Sequence, residues 1–380
     1  MASYVTPGVY KEDILPEPAA TLRTGVPAFL GYTQKVGTDR KLLNVPQRLT
    51  RWPEFEPHFG APLADGYLGA AVRGFFDYGG RQCYVVPLDD KQPGETALQV
   101  GLAALAPLDA LDLVCAPDIM RSPQPVVRPL QTAVLNHCDR AGDRLAILDA
   151  LPGGNIAAVL DQRRGLLGQN GALYFPWIDT GERDAQDQVR FVPPCGHVAG
   201  IYARSDERVG VHKAPANEVL EGVLDLEINV SHAQQGELNP QGVNALRVFP
   251  GRGIRVWGAR TISPEAAWIY INVRRLFLTA GRWIERNLAN AVFEPHGPTL
   301  WARITRELTA YFNRLLQQGA LQGATSQEAF YVKCDAETNP PEVRDAGQVI
   351  TEIGLAPAVP GEFVVIRIIH GASGVTVSGP

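Results

Sequence analysis

The sequence predicts an α/β protein in which an open, mostly parallel sheet carries most of the core. A smaller C-terminal α+β unit follows, with a β-rich arm at each end. Three observations lead there. From about residue 25 to 230, short apolar strands without polar alternation are separated by helices of roughly ten residues or more, the pattern of a parallel sheet covered on both faces. Near residues 231–242 the pattern changes to two short strands and then two long amphipathic helices. Both ends carry β-forming runs that bury little within their own segment.

Taken in order, residues 1–20 read as an arm, with β-formers around Pro7-Gly8 and then Pro16 and Pro18. Strands are predicted over 26–32, 83–86, 111–115, 145–148 and 172–175, and helices over 66–78, 97–105, 126–138 and 156–167. Pro193-Pro194 followed by an apolar run reads as the start of a further helix. This α/β unit is expected to span 21–235.

The second unit, expected at 236–360, opens with strands 245–248 and 254–257 around Pro250-Gly-Arg-Gly253. Its first long helix buries Ile269, Val273, Leu276, Ala280, Trp283 and Leu288, leaving Asn272, Arg275, Thr279, Arg282 and Arg286 on the opposite face. Its second buries Leu300, Ile304, Leu308, Tyr311 and Leu315. Strands 330–333 and 349–355 follow. The last segment, 361–380, contains Phe363-Val-Val-Ile-Arg-Ile-Ile369, which as a bare edge would invite aggregation. Either it pairs within its own unit or it is donated to a neighbour.

Composition narrows the functional classes. The 380 residues carry a net charge of −5 with no basic block, unlike a nucleic-acid binder. No apolar stretch reaches the ~18 residues that span a bilayer, and the N-terminus lacks the n- and h-regions of a secretory signal, so folding is expected in the cytoplasm. Five scattered cysteines without a C-x-x-C read as reduced, buried thiols. No dinucleotide fingerprint or phosphate loop occurs, and no His pair has metal-ligand spacing. No cofactor or metal is therefore expected.

A serine-protease order, Asp179, His296, Ser373, is present, but Ser373 lies in a Gly-rich tail with nothing to hold its Oγ against a base. Asp179-Thr-Gly181 reads as a β-turn, and Cys195-Gly-His197 as part of a helix rather than a nucleophile or metal pair. No catalytic centre emerges, so the chain is not expected to be an enzyme.

The specific peptides are those without chemistry. Tyr4-Val-Thr-Pro-Gly-Val-Tyr10, Ala70-Ala-Val-Arg-Gly-Phe-Phe-Asp-Tyr-Gly-Gly-Arg-Gln-Cys-Tyr84 and Val192-Pro-Pro-Cys-Gly-His-Val-Ala-Gly-Ile-Tyr-Ala-Arg-Ser-Asp206 open the series. Lys213-Ala-Pro-Ala-Asn217, Leu238-Asn-Pro-Gln-Gly-Val-Asn244, Trp257-Gly-Ala-Arg-Thr261 and Tyr270-Ile-Asn-Val-Arg-Arg-Leu-Phe277 continue it. Val292-Phe-Glu-Pro295 with Leu300-Trp-Ala-Arg303, Gly319-Ala-Leu-Gln-Gly323 and Phe330-Tyr-Val-Lys-Cys-Asp335 complete it. In this order and over essentially the whole chain, the sequence resembles contractile phage tail sheath proteins, including compact sheaths of phage-tail-like particles and extracellular contractile injection systems. It departs from that pattern at Cys195, where a small residue such as Ser is expected, and in about ten residues beyond Ile369.

The resemblance implies a subtilisin-like but non-catalytic α/β domain. It implies stacked hexameric rings around an inner tube, joined to baseplate and cap proteins, that contract to drive the tube through a target envelope. It also implies that the arms exchange strands between subunits through Tyr4, Val5, Val9 and Tyr10 at one end and Phe363, Val365, Arg367 and Ile369 at the other. The cationic helix face of Arg275, Arg282 and Arg286 either meets an acidic tube or is simply solvated. The alternatives are a catalytically silent binding module and, further off, a subtilisin-type hydrolase.

Overall fold

A computed structural model describes residues 22–35 and 40–362, and the backbone of 367–371 and 374–378. In chain order the elements of the first unit are β1 (Pro27–Gly31), β2 (Gln47–Leu49), α1 (Phe55–Phe59), α2 (Leu68–Asp77), β3 (Cys83–Pro87), α3 (Gly94–Ala103), β4 (Leu113–Cys115), α4 (Gln124–Ala141), β5 (Leu145–Asp149), α5 (Ile156–Arg164) and β6 (Gly171–Phe175). They continue with β7 (Ile178–Arg183), β8 (Val189–Val192), α6 (Cys195–Arg208), β9 (Asp225–Leu226), α7 (His232–Leu238), β10 (Val243–Phe249) and β11 (Gly253–Trp257). The rest are α8 (Ile271–Leu288), α9 (Pro298–Gln317), α10 (Ser326–Ala329), β12 (Phe330–Lys333), α11 (Pro341–Asp345), β13 (Glu352–Leu355), β14 (Arg367–Gly371) and β15 (Gly374–Ser378).

Eight strands form one sheet in the order β11-β10-β6-β5-β4-β1-β3-β2. The six from β10 to β3 run parallel, and β11 and β2 close the edges antiparallel. Strands β1, β5 and β6 are buried at every position, as their unbroken apolar runs require. Alternation splits their side chains between two cores. Phe29, Ile147 and Tyr174 face α2 and α6. Ala28, Leu30, Leu148 and Leu173 face α3 and α4.

The packing of α2 on α6 explains the glycines of the Cys-Gly-His motif. A Cβ on Gly196 would lie 2.1 Å from the Ala71 carbonyl oxygen, and one on Gly200 would lie 2.6 Å from that of Phe75. Only glycine at both positions lets the two backbones approach this closely. Beside them, the hydroxyls of Tyr174 and Tyr202 share a 2.7 Å hydrogen bond.

Two sequence expectations need correcting here. The strands predicted to open the second unit instead complete the large sheet, since β10 pairs parallel with β6 and β11 pairs with β10. The sheet's unit therefore extends past residue 235, through β11. Parallel pairing joins segments about 70 residues apart, which no local pattern announces. Asp179-Thr-Gly181, expected as a β-turn, is part of β7, in a three-stranded sheet β8-β7-β9, with Gly181 at φ +83°.

The C-terminal unit is built on α8 and α9. Leu276 and Ala280 of α8 meet Leu300, Ile304, Leu308 and Phe312 of α9 and Phe330 of β12 in a third core. Trp283 and Tyr311 stack at 3.9 Å with planes 3° apart. The stripe predicted on α9 is buried throughout. Strands β12 and β13 form a two-stranded antiparallel sheet. The chain's last described residues form a second hairpin, β14–β15, so the stretch expected as a loose Gly-rich tail contains a strand.

Candidate assembly surfaces and the joint between the units

The face of α8 expected to meet a tube or solvent is where the two units join. Alongside Leu276 and Ala280, α8 sends Ile271 and Leu278 into the α2–α6 core. Arg275, on that same side, is 2% exposed. Its Nη1 donates to Asp206 Oδ1 at 2.7 Å, and its Nη2 donates to Asp112 Oδ2 at 2.9 Å and to Asp206 Oδ2. The guanidinium lies over the Tyr202 ring, 4.9 Å from its centroid. Burial works against the charged guanidinium, and the two carboxylates outweigh it, holding Arg275 above its usual pKa. Burial also lifts Asp206 above the ordinary carboxylate range, although Arg275 opposes it.

Asp112 ties this cluster to the start of the described chain. It accepts from the amides of Gly25 at 3.0 Å and Val26 at 2.6 Å, where the backbone enters β1. The C-terminal exit is held in a comparable way: Arg260, just after β11, grips Glu362 with a two-pronged ion pair. Gly25 and Val26 at one end of the continuously described chain and Glu362 at the other are thus held in place.

Arg282, one turn beyond Thr279, is 5% exposed and donates Nη2 to the carbonyls of Asp109 and Arg23. Its Nε and Nη1 find no acceptor among the described residues. Of the three arginines proposed from sequence to face a tube, Arg275 and Arg282 are therefore inward. Only Arg286 stays at the surface. Helical period separates two faces but does not say what the charged one packs against, and here it packs on a second domain.

The strand edges divide in the same way. The outer edge of β11 is covered by residues 217–220, through bonds such as Leu220 N to Ile254 O and Val256 N to Glu218 O. In the C-terminal unit, β12 and β13 pair only with each other along their named lengths among the described residues. Around them the surface is apolar: Tyr331, Val349, Ile350 and Val359 are all exposed. At the turn between α8 and α9, Val292 is exposed and Phe293 fully so, on a backbone at φ +69° that bulky residues rarely adopt. Of the residues expected to exchange strands, Tyr4, Val5, Val9, Tyr10, Phe363 and Val365 lie outside the described residues. Arg367 and Ile369 lie on β14, opposite Ser378 and Thr376.

The catalytic candidates do not converge. Asp179 accepts from the Gly181 amide and pairs with Arg183. His296 sits beside Trp301 in the α8–α9 turn, and Ser373 lies outside the described residues. Cys195 and His197 are both buried in α6. Burial pushes the Cys195 thiol up and His197 down to about 4, which leaves neither suited to nucleophilic or base chemistry near neutral pH. Asp149 accepts from the Cys195 amide at 2.8 Å, and burial raises it to about 7. All five cysteines are free and buried. Among the described residues no helix is long and apolar enough to cross a membrane.

Comparison with known proteins places this architecture. Residues 94–262 match the phage tail sheath protein central domain, and residues 263–369 match the phage tail sheath C-terminal domain. The boundary between the two falls just after β11, where the structure ends the large sheet. The contracted helical sheath of the anti-feeding prophage superposes with a TM-score of 0.80 at 30% identity, covering 97% of this chain and all of that one. The contracted sheath complex of the extracellular contractile injection system PVC gives 0.77 at 28% identity, covering 98% of this chain and 99% of that one. The tail sheath protein of Vibrio phage KVP40 is 27% identical over 187 residues, which are 48% of this chain and 27% of that longer protein. Its relatives are thus sheath proteins of phages and contractile injection systems, structural proteins rather than enzymes. On domain matches that together cover most of its length, the chain belongs to the phage tail sheath protein family.

Proposed function

We propose that this chain is the structural subunit of a contractile sheath in a phage-tail-like particle, assembling as stacked six-membered rings around an inner tube and contracting to drive that tube through a target envelope. One observation carries the reading: nearly the whole chain corresponds, end to end, to subunits solved in contracted sheaths. The absence of large insertions relative to those subunits favours the compact, injection-system type over the longer phage sheaths.

On this reading the α/β unit is the rigid body that rotates during contraction. It is the family's subtilisin-like domain, without catalysis. The roots at Gly25, Val26 and Glu362 hold the body while the arms reach neighbours. Strands containing Tyr4, Val5, Val9 and Tyr10, and Phe363, Val365, Arg367 and Ile369, would add to the open edges of β12 and β13 in adjacent subunits by backbone pairing. Arg286 and the Phe293 turn are the surface features left to face the tube, with baseplate and cap proteins at the ends. The free energy of contraction is stored at assembly and released by repacking many small interfaces, so no nucleotide is needed.

Negative-stain microscopy of the purified protein, alone and co-expressed with a tube protein, tests this. Tubes with six-fold end views are expected. Monodisperse monomers under both conditions would contradict it.

A further inference from the structure

The two ends of the large sheet carry cavities of opposite charge. Helix α6 fixes their positions: its first residue bonds Asp149 at the C-terminal end of β5, and its last turn places Asp206 against Asp112 at the start of β4. It therefore runs antiparallel to the strands, and its 14 residues separate the sheet's ends by about 21 Å.

At the C-terminal ends of the strands, where connections from β1 and β4 leave toward opposite faces, lies a cavity of about 490 Å³. It is lined by Tyr32, Tyr67, Asp65, Asp90, Asp118 and Arg121. Asp118 is spoken for by the amides of Tyr32, Tyr67 and Leu68, and Arg121 pairs with Asp65. Asp90 is exposed and makes no ion pair among the described residues. At the other end, a cavity of about 290 Å³ is lined by Arg204, Arg208, Arg255, Asn217, Glu218 and Glu221. Arg204 pairs with Glu218, while its buried Nε finds no acceptor among the described residues. Arg255 is spent on the Asn217 side chain and on backbone carbonyls. Arg208 is exposed and makes no ion pair among the described residues.

We propose that the basic cavity receives a carboxylate from the acidic end of a second copy of this chain, with Arg208 of one copy meeting Asp90 of the next. The proposal rests on the sheath reading and names the faces by which α/β units meet. Such a contact joins two different surfaces, so it propagates head to tail and builds rings or helices rather than closing a dimer. Its attraction is solvent-exposed and weakens with salt.

The test is sedimentation and microscopy of polymer formed by the full chain with R208E, D90R and the double R208E/D90R, each first checked for native far-UV circular dichroism and melting temperature. Neither residue has an ion-pair partner among the described residues to lose, so all three should fold. Each single reversal should cut sedimentable polymer by about tenfold, and the double should restore it, because the pair is re-formed with its signs exchanged. Singles that polymerise like the native protein, or a double no better than the singles, would overturn the proposal. If R208E loses calorimetric phosphate binding while its polymerisation is unchanged, the cavity serves a free anion instead, and the proposal likewise fails. Native protein that forms no polymer at all would overturn the sheath reading itself.

Discussion

The two units bury their strands differently. In the large sheet, β1, β5 and β6 are wholly covered, and the β11 edge is closed by residues 217–220. In the C-terminal unit, β12 and β13 stand as a pair whose outer edges find no strand partner among the described residues, beside exposed Tyr331, Val349, Ile350 and Val359. An isolated two-stranded sheet is marginal in water, and such an edge with an apolar rim marks a surface meant to be covered. We propose that the first unit is complete within one chain and that the second is finished by its neighbours. Arg275 and its two aspartates couple them.

The strongest way to break this division is at the coupling. Arg275→Met would leave Asp112 and Asp206 buried without their cation, and should cost about 3–5 kcal/mol, read as a lower urea midpoint. A loss under about 1 kcal/mol would mean that the two units are not joined through this cluster. Cores on both sides of the joint should respond alike. Phe29→Ala in the sheet and Phe312→Ala in α9, both fully buried, should each cost about 3–5 kcal/mol in calorimetry. A much smaller loss at Phe312 would mean that the C-terminal core is not formed in the monomer.

A pH series sharpens the comparison within the first unit. Asp149 titrates near 7 in the fold, above the ordinary carboxylate value near 3.8. Between those limits the folded protein keeps a proton that the unfolded chain has lost. This group's contribution to stability therefore falls as pH rises from about 4 to 7. Asp149→Asn removes that loss, so its stability relative to the native protein should climb across the same window, by at most about 1.4 kcal/mol per pH unit, and then level off. His137 and His197, both lowered to about 4 by burial, lose stability as pH falls from 6.5 toward 4, but they do so in both proteins and cancel. A flat difference would place the Asp149 carboxylate in water.

The smallest effect on folding is expected where the effect on assembly is large. Phe293→Asp removes a fully exposed ring and should change stability by no more than about 0.5 kcal/mol, while weakening assembly around the tube. Equal assembly by pelleting with tube protein would free that turn of any interface.

Much of the sheet could be read from sequence because fully buried parallel strands are short unbroken apolar runs, and residues 145–148 and 172–175 have no other reading. What escaped depends on distance. The pairing of β10 with β6 joins Val243 to Leu173, and nothing local to either segment signals it. The β7–β8–β9 sheet escaped because Asp179-Thr-Gly-Glu-Arg183 is polar and carries a glycine, the composition of a turn. Arg275 and Arg282 read in sequence as facing either a tube or solvent, because charge on one helix face ordinarily marks an outward surface. The Asp206 that pairs with Arg275 sits in a motif quoted above, but no spacing rule connects residues 69 positions apart. The terminal β runs leave their pairing open in the sequence, since a β run at a chain end has the same pattern whether it pairs at home or abroad.

Hydrogen exchange by mass spectrometry, on the monomer and on the assembled polymer, tests most directly whether the C-terminal unit is completed by its neighbours. Amides of β12 and β13 should gain strong protection on assembly, while those of β1, β5 and β6, already protected in the monomer, should not change. Protection at β12 and β13 that is the same in monomer and polymer would contradict it.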